Sequence, residues 1–239
     1  MTLDSSGLPV GDPVPGWAGA QRPARRVLEG RFCRLEPLDA VAHGEALYRA
    51  HASAPDGRHW TYLFQERPES AEAFDTLVQS MARSEDPLHF AVMSPGSRAA
   101  SQALGTLSLM RIDVVHGVIE VGNVNFAPAL QRSAASTEAQ YLLMRYVFED
   151  LGYRRYEWKC DSLNARSRAS ALRLGFSFEG VFRQAVVYKG RSRDTAWYSI
   201  INTEWPLLRR AFEMWLAEEN FSADGAQRAS LAECRKRLE

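Results

Sequence analysis

The sequence has few cysteines and no long apolar run. Its three cysteines are Cys33, Cys160 and Cys234, an odd number with no CxxC or Cys/His spacing. This disfavours both a disulfide framework and a zinc site, and it is typical of a reducing compartment. No segment has the length and apolarity of a membrane span, and the first residues show no basic-then-apolar signal pattern. We therefore expect a cytoplasmic protein with no metal and no membrane partner.

The sequence also lacks an excess of charge of either sign. It contains 29 Lys and Arg against 29 Asp and Glu, so its formal net charge is zero. A nucleic-acid partner that needs a strong basic field is therefore not indicated. The 239 residues would suffice for one large domain or two small ones. The pattern favours an arm over residues 1–30, one α/β domain over residues 31–203 and a helical extension over residues 204–239.

The arm is rich in Gly and Pro and has little periodicity, so we expect it to be flexible or to wrap the surface, with Trp17 as its candidate contact. Periodicity then predicts an order of elements: β-α-α-β-β-β-α-β-α-β-β. The first strand covers residues 31–38, and Asp39 and Ser70 begin two helices. Strands follow over residues 90–93, 103–113, 118–126, 154–160, 178–188 and 194–201. Pro95-Gly96 signals a turn, and further helices are predicted over residues 205–216 and 226–238, the last of them charged on all sides.

The centre of this pattern, residues 116–178, is a strand, a helix, a strand and a second helix. Short links make the first three elements a right-handed βαβ unit, so its two strands should be parallel. The helix between them would then begin at the carboxyl end of the first strand. Helix N-termini bind anions, so residues 131–137, with the charge of Arg132, form a candidate phosphate site.

This central stretch resembles the GNAT N-acetyltransferases, and within them the RimJ/RimL-like branch that acetylates the N-termini of ribosomal proteins. That branch has a turn of the type Gln/Arg-x-x-Gly-x-Gly/Ala followed by Thr-Glu-Ala. This chain has Gln131-Arg132-Ser133-Ala134-Ala135-Ser136 followed by Thr137-Glu138-Ala139. The branch also has an Asn, a Ser three residues later and a closing Gly-Phe, which match Asn164, Ser167 and Gly175-Phe176. Ala134 and Ser136 stand where glycines are usual.

The resemblance implies the GNAT acyl-CoA N-acyltransferase fold, an α/β structure with a central mixed, twisted sheet flanked by helices. It also implies transfer of acetyl from acetyl-CoA to a primary amine by direct attack in a ternary complex, without a metal. The acceptor would be a protein N-terminus or a small molecule, and the protein a monomer or a homodimer. Two alternatives stay open: a non-catalytic acyl-CoA-binding module, and an acyltransferase that uses a longer acyl-CoA.

The resemblance further implies a set of coenzyme-binding residues. The strand over residues 118–126 is expected to splay from its neighbour and to pair with the pantetheine arm. The pyrophosphate would bind at the following turn, and the second helix would contact the coenzyme near its sulfur. The expected residues are Asn123, Val124, Asn125, Phe126, Gln131, Arg132, Ser133, Ala134, Ala135, Ser136, Thr137, Asn164 and Ser167.

Two residues are candidates for catalysis. Glu120 lies in an apolar strand, where desolvation would raise its pKa and suit it to act as a base. The alternative is a surface Glu on an edge strand, paired with an Arg. Ser167 is the candidate acid for the departing thiolate, and its alternative is a residue that caps or solvates the helix.

Residues 58–64 are dense in aromatic side chains. Trp60 and Tyr62 either line an acceptor pocket, as the resemblance implies, or fill the core. Lys189, Arg191 and Arg193 form a basic hairpin tip. Such a tip either serves solubility or contacts an acidic peptide or a nucleotide phosphate.

Overall fold

The computed structural model describes residues 2–95 and 101–239. Gly96, half of the predicted Pro95-Gly96 turn, lies outside the described residues. Two short strands near the start pair only with each other: β1 (Thr2–Leu3) and β2 (Pro9–Val10). The main sheet has eight strands, which are β3 (Leu28–Glu29), β4 (Arg34–Pro37), β5 (Leu88–Met93), β6 (Ala103–Asp113), β7 (Val118–Phe126), β8 (Arg155–Asp161), β9 (Ser177–Tyr188) and β10 (Arg191–Ile201).

The α-helices are α1 (Ala40–Ala52), α2 (Ala71–Arg83), α3 (Ala134–Arg145), α4 (Ala165–Leu174), α5 (Trp205–Leu216) and α6 (Leu231–Lys236). All of them except α5 begin at a side chain that caps them. Asp39 and Ser70 accept the backbone N–H groups of Ala42 and Ala73, so both predicted caps are confirmed. A π-helical turn, Tyr146–Asp150, continues α3. At the end of α4, Gly175 adopts φ +99°, a left-handed conformation that favours glycine.

The strand order in the main sheet is β3-β4-β5-β6-β7-β8-β10-β9. Neighbouring strands are antiparallel except β7 and β8, which are parallel, as the βαβ prediction requires. The last hairpin places β10 next to β8 and leaves β9 at the edge. The predicted mixed sheet flanked by helices is confirmed.

Each face of the sheet packs against its own helices. On the first face, which we call the α3 face, residues such as Val121, Tyr156 and Trp158 share a core with α3, α4, α5 and α6. On the opposite face, the α1 face, a smaller core joins Leu47, Phe74 and Val78 of α1 and α2 to β5 and β6. Side chains alternate along each strand, so Glu120 lies on the α1 face, between two residues of the α3 core.

Two elements are shorter than the sequence predicts, while β5 and β10 begin two and three residues earlier than predicted. The strand predicted over residues 31–38 begins only at Arg34, because the buried carboxylate of Glu138 accepts the backbone N–H groups of Arg31, Phe32 and Cys33. The helix predicted over residues 226–238 is shorter, because Ser230 and Glu233 form a capping box that begins α6 at Leu231. Leu231 and Cys234 are buried, so this helix is not solvated on all sides.

The first thirty residues contact the domain from Trp17 onward. The indole Nε1 of Trp17 donates to the carbonyl oxygen of Val115 at 2.9 Å, and the guanidinium of Arg154 lies over its ring. Gly117 has φ +63°, and a Cβ atom there would collide with the Trp17 indole. Strand β3 also lies before residue 31, so the expected boundary at residue 30 falls within the first strand pair of the main sheet.

Candidate functional site

Strands β7 and β8 part halfway along their length. Their parallel pairing runs from Val118 and Arg155 to Val121 and Trp158. Beyond Val121, β7 stays paired with β6 through Gly122, Asn125 and Phe126. Residues 122–126 therefore present one backbone edge to a cleft between β7 and β8, where the resemblance places the pantetheine arm.

A β-bulge lies in β7 at this cleft. Gly122 pairs with Ser108 and Asn125 pairs with Thr106, so β7 has one residue more than β6 in this interval. Asn123 takes up the extra length with φ +49°, and its amide donates to the hydroxyl of Ser108 at 3.2 Å. The bulge turns Asn125 onto the α1 face, the face of Glu120. The side-chain oxygen of Asn125 is buried and has no hydrogen-bond partner among the described residues.

Glu120 is buried just before the strands part. Only 5% of it is exposed. Its Oε2 lies 2.9 Å from the Lys159 ammonium and 3.0 Å from Nε of Arg111, so both cations form ion pairs with it. Burial raises the pKa of Glu120, while Lys159 and Arg111 act in the opposite direction. The alternative for Glu120 was a surface Glu on an edge strand, paired with an Arg. The structure agrees with the Arg partner, but Glu120 lies on a central strand and is buried.

Glu120 belongs to a row of charges across the α1 face. Lys159 also contacts Glu157 at 2.6 Å and lies over the ring of Trp197 at 3.8 Å. Arg155 contacts Glu157 in turn. The side chains of Lys159 and Glu157 are 7% and 8% exposed. Charged residues alternate with aromatic residues along β8, a pattern typical of a strand with one solvated side, so Lys159 was not predicted as a site residue. The sequence did contain a signal for Lys159. The βαβ unit places this strand in the middle of the sheet, where charged residues are unusual and indicate a site.

Ser167 and Asn164 lie at the start of α4, beside the cleft. Asn164 Oδ1 accepts the backbone N–H of Ser167 at 3.1 Å, so Asn164 caps this helix. The indole Nε1 of Trp158 donates to Ser167 Oγ at 2.9 Å. Because Oγ is the acceptor in this contact, its own proton can be donated elsewhere. Trp158 is the last β8 residue that pairs with β7, so Glu120 and Ser167 both lie next to the point of separation.

The N-terminus of α3 is partly occupied by its own side chains. Ser133 accepts the N–H of Ser136 at 3.1 Å, and the N–H of Ser133 donates weakly to Leu130 at 3.4 Å. Within the described ranges, no hydrogen bond of the Ala134 and Ala135 amides is found. The exposed Arg132 precedes them with φ +59°.

Two other residues of the predicted turn have structural contacts. Gln131 Nε2 donates to the carbonyl oxygen of Phe126 at 2.8 Å, which ties the turn to the end of β7. The hydroxyl of Thr137 accepts from Arg173 at 2.6 Å. Val124 and Phe126 pack partly against the α3-face core.

On the acceptor side, Trp60 and Tyr62 differ in environment. Trp60 is 5% exposed and packs in the α1-face core against the rings of His51 and Phe74, which favours the alternative that it fills the core. Tyr62 is half-buried, and its hydroxyl donates to the carbonyl oxygen of Leu163 at 3.2 Å. Tyr62 therefore reaches the loop between β8 and α4, close to the cleft.

No group of three His, Cys, Asp or Glu side chains that could hold a metal ion is found in residues 2–95 and 101–239. Nor is any helix in these ranges long and apolar enough to span a membrane.

Comparison with known proteins agrees with this architecture. A family model described as "Acetyltransferase (GNAT) domain" matches residues 33–177. The Bacillus subtilis (strain 168) protein named "Putative ribosomal N-acetyltransferase YdaF" is 28% identical over 172 residues, which cover 72% of this chain and 90% of that protein. The crystal structure of a GCN5-related N-acetyltransferase from Brucella melitensis has a TM-score of 0.89 at 45% identity, and the match covers 93% of this chain and 100% of that chain.

A more distant structure, from Salmonella typhimurium, is described as an acetyl transferase that modifies the N-terminal serine of 50S ribosomal subunit protein L7/L12. It has a TM-score of 0.61 at 21% identity, and the match covers 74% of this chain and 99% of that chain, a likeness of fold alone. The resemblance stated from the sequence, and the GNAT fold that it implied, are confirmed.

Proposed function

We propose, since this chain belongs to the GNAT family of N-acetyltransferases, that it transfers the acetyl group of acetyl-CoA to the α-amine of a protein N-terminus. It is an N-acetyltransferase, similar to the RimJ/RimL-like branch. One observation carries the proposal. A buried carboxylate with a raised pKa and an oriented hydroxyl lie on either side of the point where β7 and β8 part.

The residues around the cleft fit acetyl-CoA. The free backbone edge of residues 122–126 would take the pantetheine arm as an added strand, and the unpartnered Asn125 oxygen lies beside it. The Ala134 and Ala135 amides and Arg132 would hold the pyrophosphate. When bound, acetyl-CoA supplies an acetyl group activated as a thioester.

Glu120 is proposed as the base. An α-amine has a pKa of about 7.7–8.0, so at neutral pH most acceptor molecules are protonated and must lose a proton before attack. The raised pKa of Glu120 makes its carboxylate a better proton acceptor than an exposed Glu. Lys159 and Arg111 both approach Oε2. Oε1 is therefore the oxygen proposed to take the proton.

Ser167 is proposed as the acid. The Trp158 N–H occupies an acceptor site on Ser167 Oγ, which orients the hydroxyl so that it can donate its proton to the leaving group. Trp158 thus acts as a positioning residue. The Asn164 cap holds the backbone of Ser167 at the first turn of α4.

The choice of a protein N-terminus as acceptor is supported by similarity to the Bacillus subtilis protein, whose name describes a ribosomal N-acetyltransferase. A small-molecule amine is the other candidate. The cytoplasmic location expected from the cysteine content is consistent with either acceptor.

The test is turnover by the purified protein with acetyl-CoA, with mass spectrometry to detect products. The panel contains peptides with free N-termini, the same peptides with blocked N-termini, polyamines and amino acids. Acetylation of the free but not the blocked peptides is expected. Binding of acetyl-CoA without turnover of any amine would instead support the non-catalytic module. Faster turnover with butyryl-CoA than with acetyl-CoA would support the acyltransferase for longer chains.

A further inference from the structure

The α1 face of β10 carries a row of three polar atoms without partners. Arg193 Nε, Thr195 Oγ1 and Trp197 Nε1 are buried, and none has a hydrogen-bond partner among the described residues. The three residues alternate along the strand, so their side chains lie on one face. Thr195 pairs with Asp161 and Trp197 pairs with Lys159. This is the face that carries Glu120.

Arg193 is the most unusual member of the row. Only 7% of it is exposed, and no carboxylate forms an ion pair with it within residues 2–95 and 101–239. Its guanidinium lies over the rings of Phe64 and Tyr188, at 5.2 and 5.7 Å from their centroids. Stacking on aromatic rings offsets only part of the desolvation of a buried cation. A buried cation without an anion is what a site for an anionic ligand would contain.

The nearby acidic groups already have other partners. Asp161 accepts the Tyr188 hydroxyl at 2.8 Å and the backbone N–H of Leu163 at 2.9 Å. Glu66 contacts Lys189 at 3.2 Å. Neither carboxylate forms an ion pair with Arg193 among the described residues, so its guanidinium has no direct anionic partner there.

The position of Arg193 relative to Glu120 limits the length of the ligand. Trp197 contacts Lys159, which contacts Glu120, and Arg193 lies four residues from Trp197 along β10. Four residues of a strand span about 13 Å. The Lys159 ammonium adds up to about 7 Å between Glu120 and the Trp197 ring, so the path from Glu120 to Arg193 is about 13 to 20 Å long. An extended peptide rises by about 3.3 Å per residue, so its fifth to seventh residue would reach Arg193 if its amine lay at Glu120.

We propose that Arg193 and Thr195 bind the carboxylate of an acidic side chain near the fifth to seventh residue of the acceptor peptide. This inference rests on the proposed function and adds the sequence preference of its acceptor. A guanidinium binds a carboxylate through two parallel N–H···O bonds, and the Thr195 hydroxyl adds a third donor. Phe64 is 49% exposed and covers the guanidinium, so the acidic side chain reaches Arg193 by displacing this ring.

The test uses pairs of peptides that differ only by Glu or Gln at one position, from the second to the eighth. All have free N-termini, amidated carboxyl ends and no other acidic residue. The wild-type protein should have a kcat/KM at least about tenfold higher for the Glu peptide at one or two positions, because a charged hydrogen-bonded pair is lost with Gln. Arg193→Met, which keeps a long side chain between the rings, should abolish the preference. Arg191→Met, an exposed residue on the same hairpin, should retain it.

Calorimetry with the same peptides makes the result independent of turnover. Acidic peptides should bind the wild type and lose at least about tenfold in affinity with Arg193→Met. If Arg193→Met fails to fold, Arg193→Gln must show the same losses. Equal acetylation of Glu and Gln peptides would overturn the inference and leave the acetyltransferase standing. Selective binding of acidic peptides without acetylation of any amine would support the inference and overturn the proposed function.

Discussion

At the scale of single residues, the candidate site depends on side chains that the surrounding structure holds in unusual states. Glu120 is a buried carboxylate whose pKa is raised by desolvation, although two cations lie within 3.0 Å. Ser167 is a hydroxyl whose orientation is set by an indole N–H. Both states can be tested by substitutions that nearly preserve volume.

Glu120→Gln should lower kcat by ~10²–10⁴ at neutral pH and leave the affinity for acetyl-CoA largely unchanged, because the base is lost while its packing is kept. In the wild type, the rate should rise with pH as Glu120 ionises. Since its pKa lies above the ordinary value, this rise should occur above pH 4.5. In a plot of kcat/KM against pH, this rise should be present for the wild type and absent for Glu120→Gln. A full rate across pH 6 to 9 would mean that Glu120 is structural.

Lys159→Met should move the acid limb of the same profile to higher pH. Lys159 lowers the pKa of Glu120, so its removal leaves the carboxylate protonated over a wider range. Arg155→Met is the matched control, because Arg155 contacts Glu157 and Glu179. An unshifted limb in Lys159→Met would exclude Glu120 as the group that titrates.

Trp158→Phe tests the orientation of Ser167, because it removes the N–H and keeps an aromatic ring in the core. We expect kcat to fall by about tenfold with little change in the KM for acetyl-CoA, and Ser167→Ala to lower kcat by ~10² or more. In the Ser167→Ala background, Trp158→Phe should have almost no further effect on kcat, because the two residues act as a unit. Fully multiplicative losses would show that Trp158 acts elsewhere.

At the scale of elements, local signals were sufficient to predict much of this fold. Caps such as Asp39 and Asn164 lie next to the helices that they begin, and β6 and β7 have the bounds that alternation predicted. Properties that depend on a neighbouring strand were not predictable. The bulge at Asn123 exists only relative to β6, and Lys159 is buried because β7 and β10 flank it.

The segment from α1 to α2 is sensitive to acid because it contains a buried histidine, His51, in contact with the half-buried His59. His51 Nδ1 and His59 Nε2 are 3.3 Å apart, and burial lowers the pKa of His51 to about 4. As the pH falls, the His51 imidazole of the unfolded chain therefore binds a proton at a higher pH than the same imidazole in the folded chain. Stability should therefore be lost as pH falls from about 6.5 towards 4, by up to ~3 kcal/mol.

Hydrogen exchange can detect this loss locally, as faster exchange in α1 and in residues 58–66. His51→Phe, which preserves ring packing against Trp60 and Phe74, should reduce the acid sensitivity, and the exposed His116→Gln should not. A second buried histidine, His89, has its pKa lowered to about 4 as well, which is why the readout must be local. Unchanged exchange in α1 between pH 7 and 4.5 would contradict the prediction.

At the scale of the whole molecule, distant segments complete the domain. The Glu138 carboxylate of α3 accepts hydrogen bonds from the backbone N–H groups of residues 31–33. The Glu of the Thr-Glu-Ala motif therefore has a structural role. Helix α5 contributes Trp205 and Phe212 to the same core as Tyr141 of α3. The predicted extension over residues 204–239 therefore packs on the domain.

Trp17→Ala should lower the free energy of unfolding by about 2 kcal/mol, because it removes a half-buried indole and its bond to Val115. Deletion of residues 1–12 is the control. The side-chain hydrogen bonds of that segment, such as Thr2 to Asp12, are made within it, so the melting temperature should barely change. If the deletion destabilises the protein more than Trp17→Ala does, residues 1–12 and not Trp17 hold the first thirty residues on the domain.

The position of β10 between β8 and β9 has a consequence for synthesis on the ribosome. Strand β9 is made before β10 but pairs with no other strand of the sheet. Until residues 191–201 emerge, a nascent chain carries twelve residues of unpaired strand, with the exposed side chains of Phe178, Val181, Phe182 and Val187. Such a segment is prone to pair with other chains. The nascent chain is thus most exposed to aggregation in the short interval between the emergence of its last two strands.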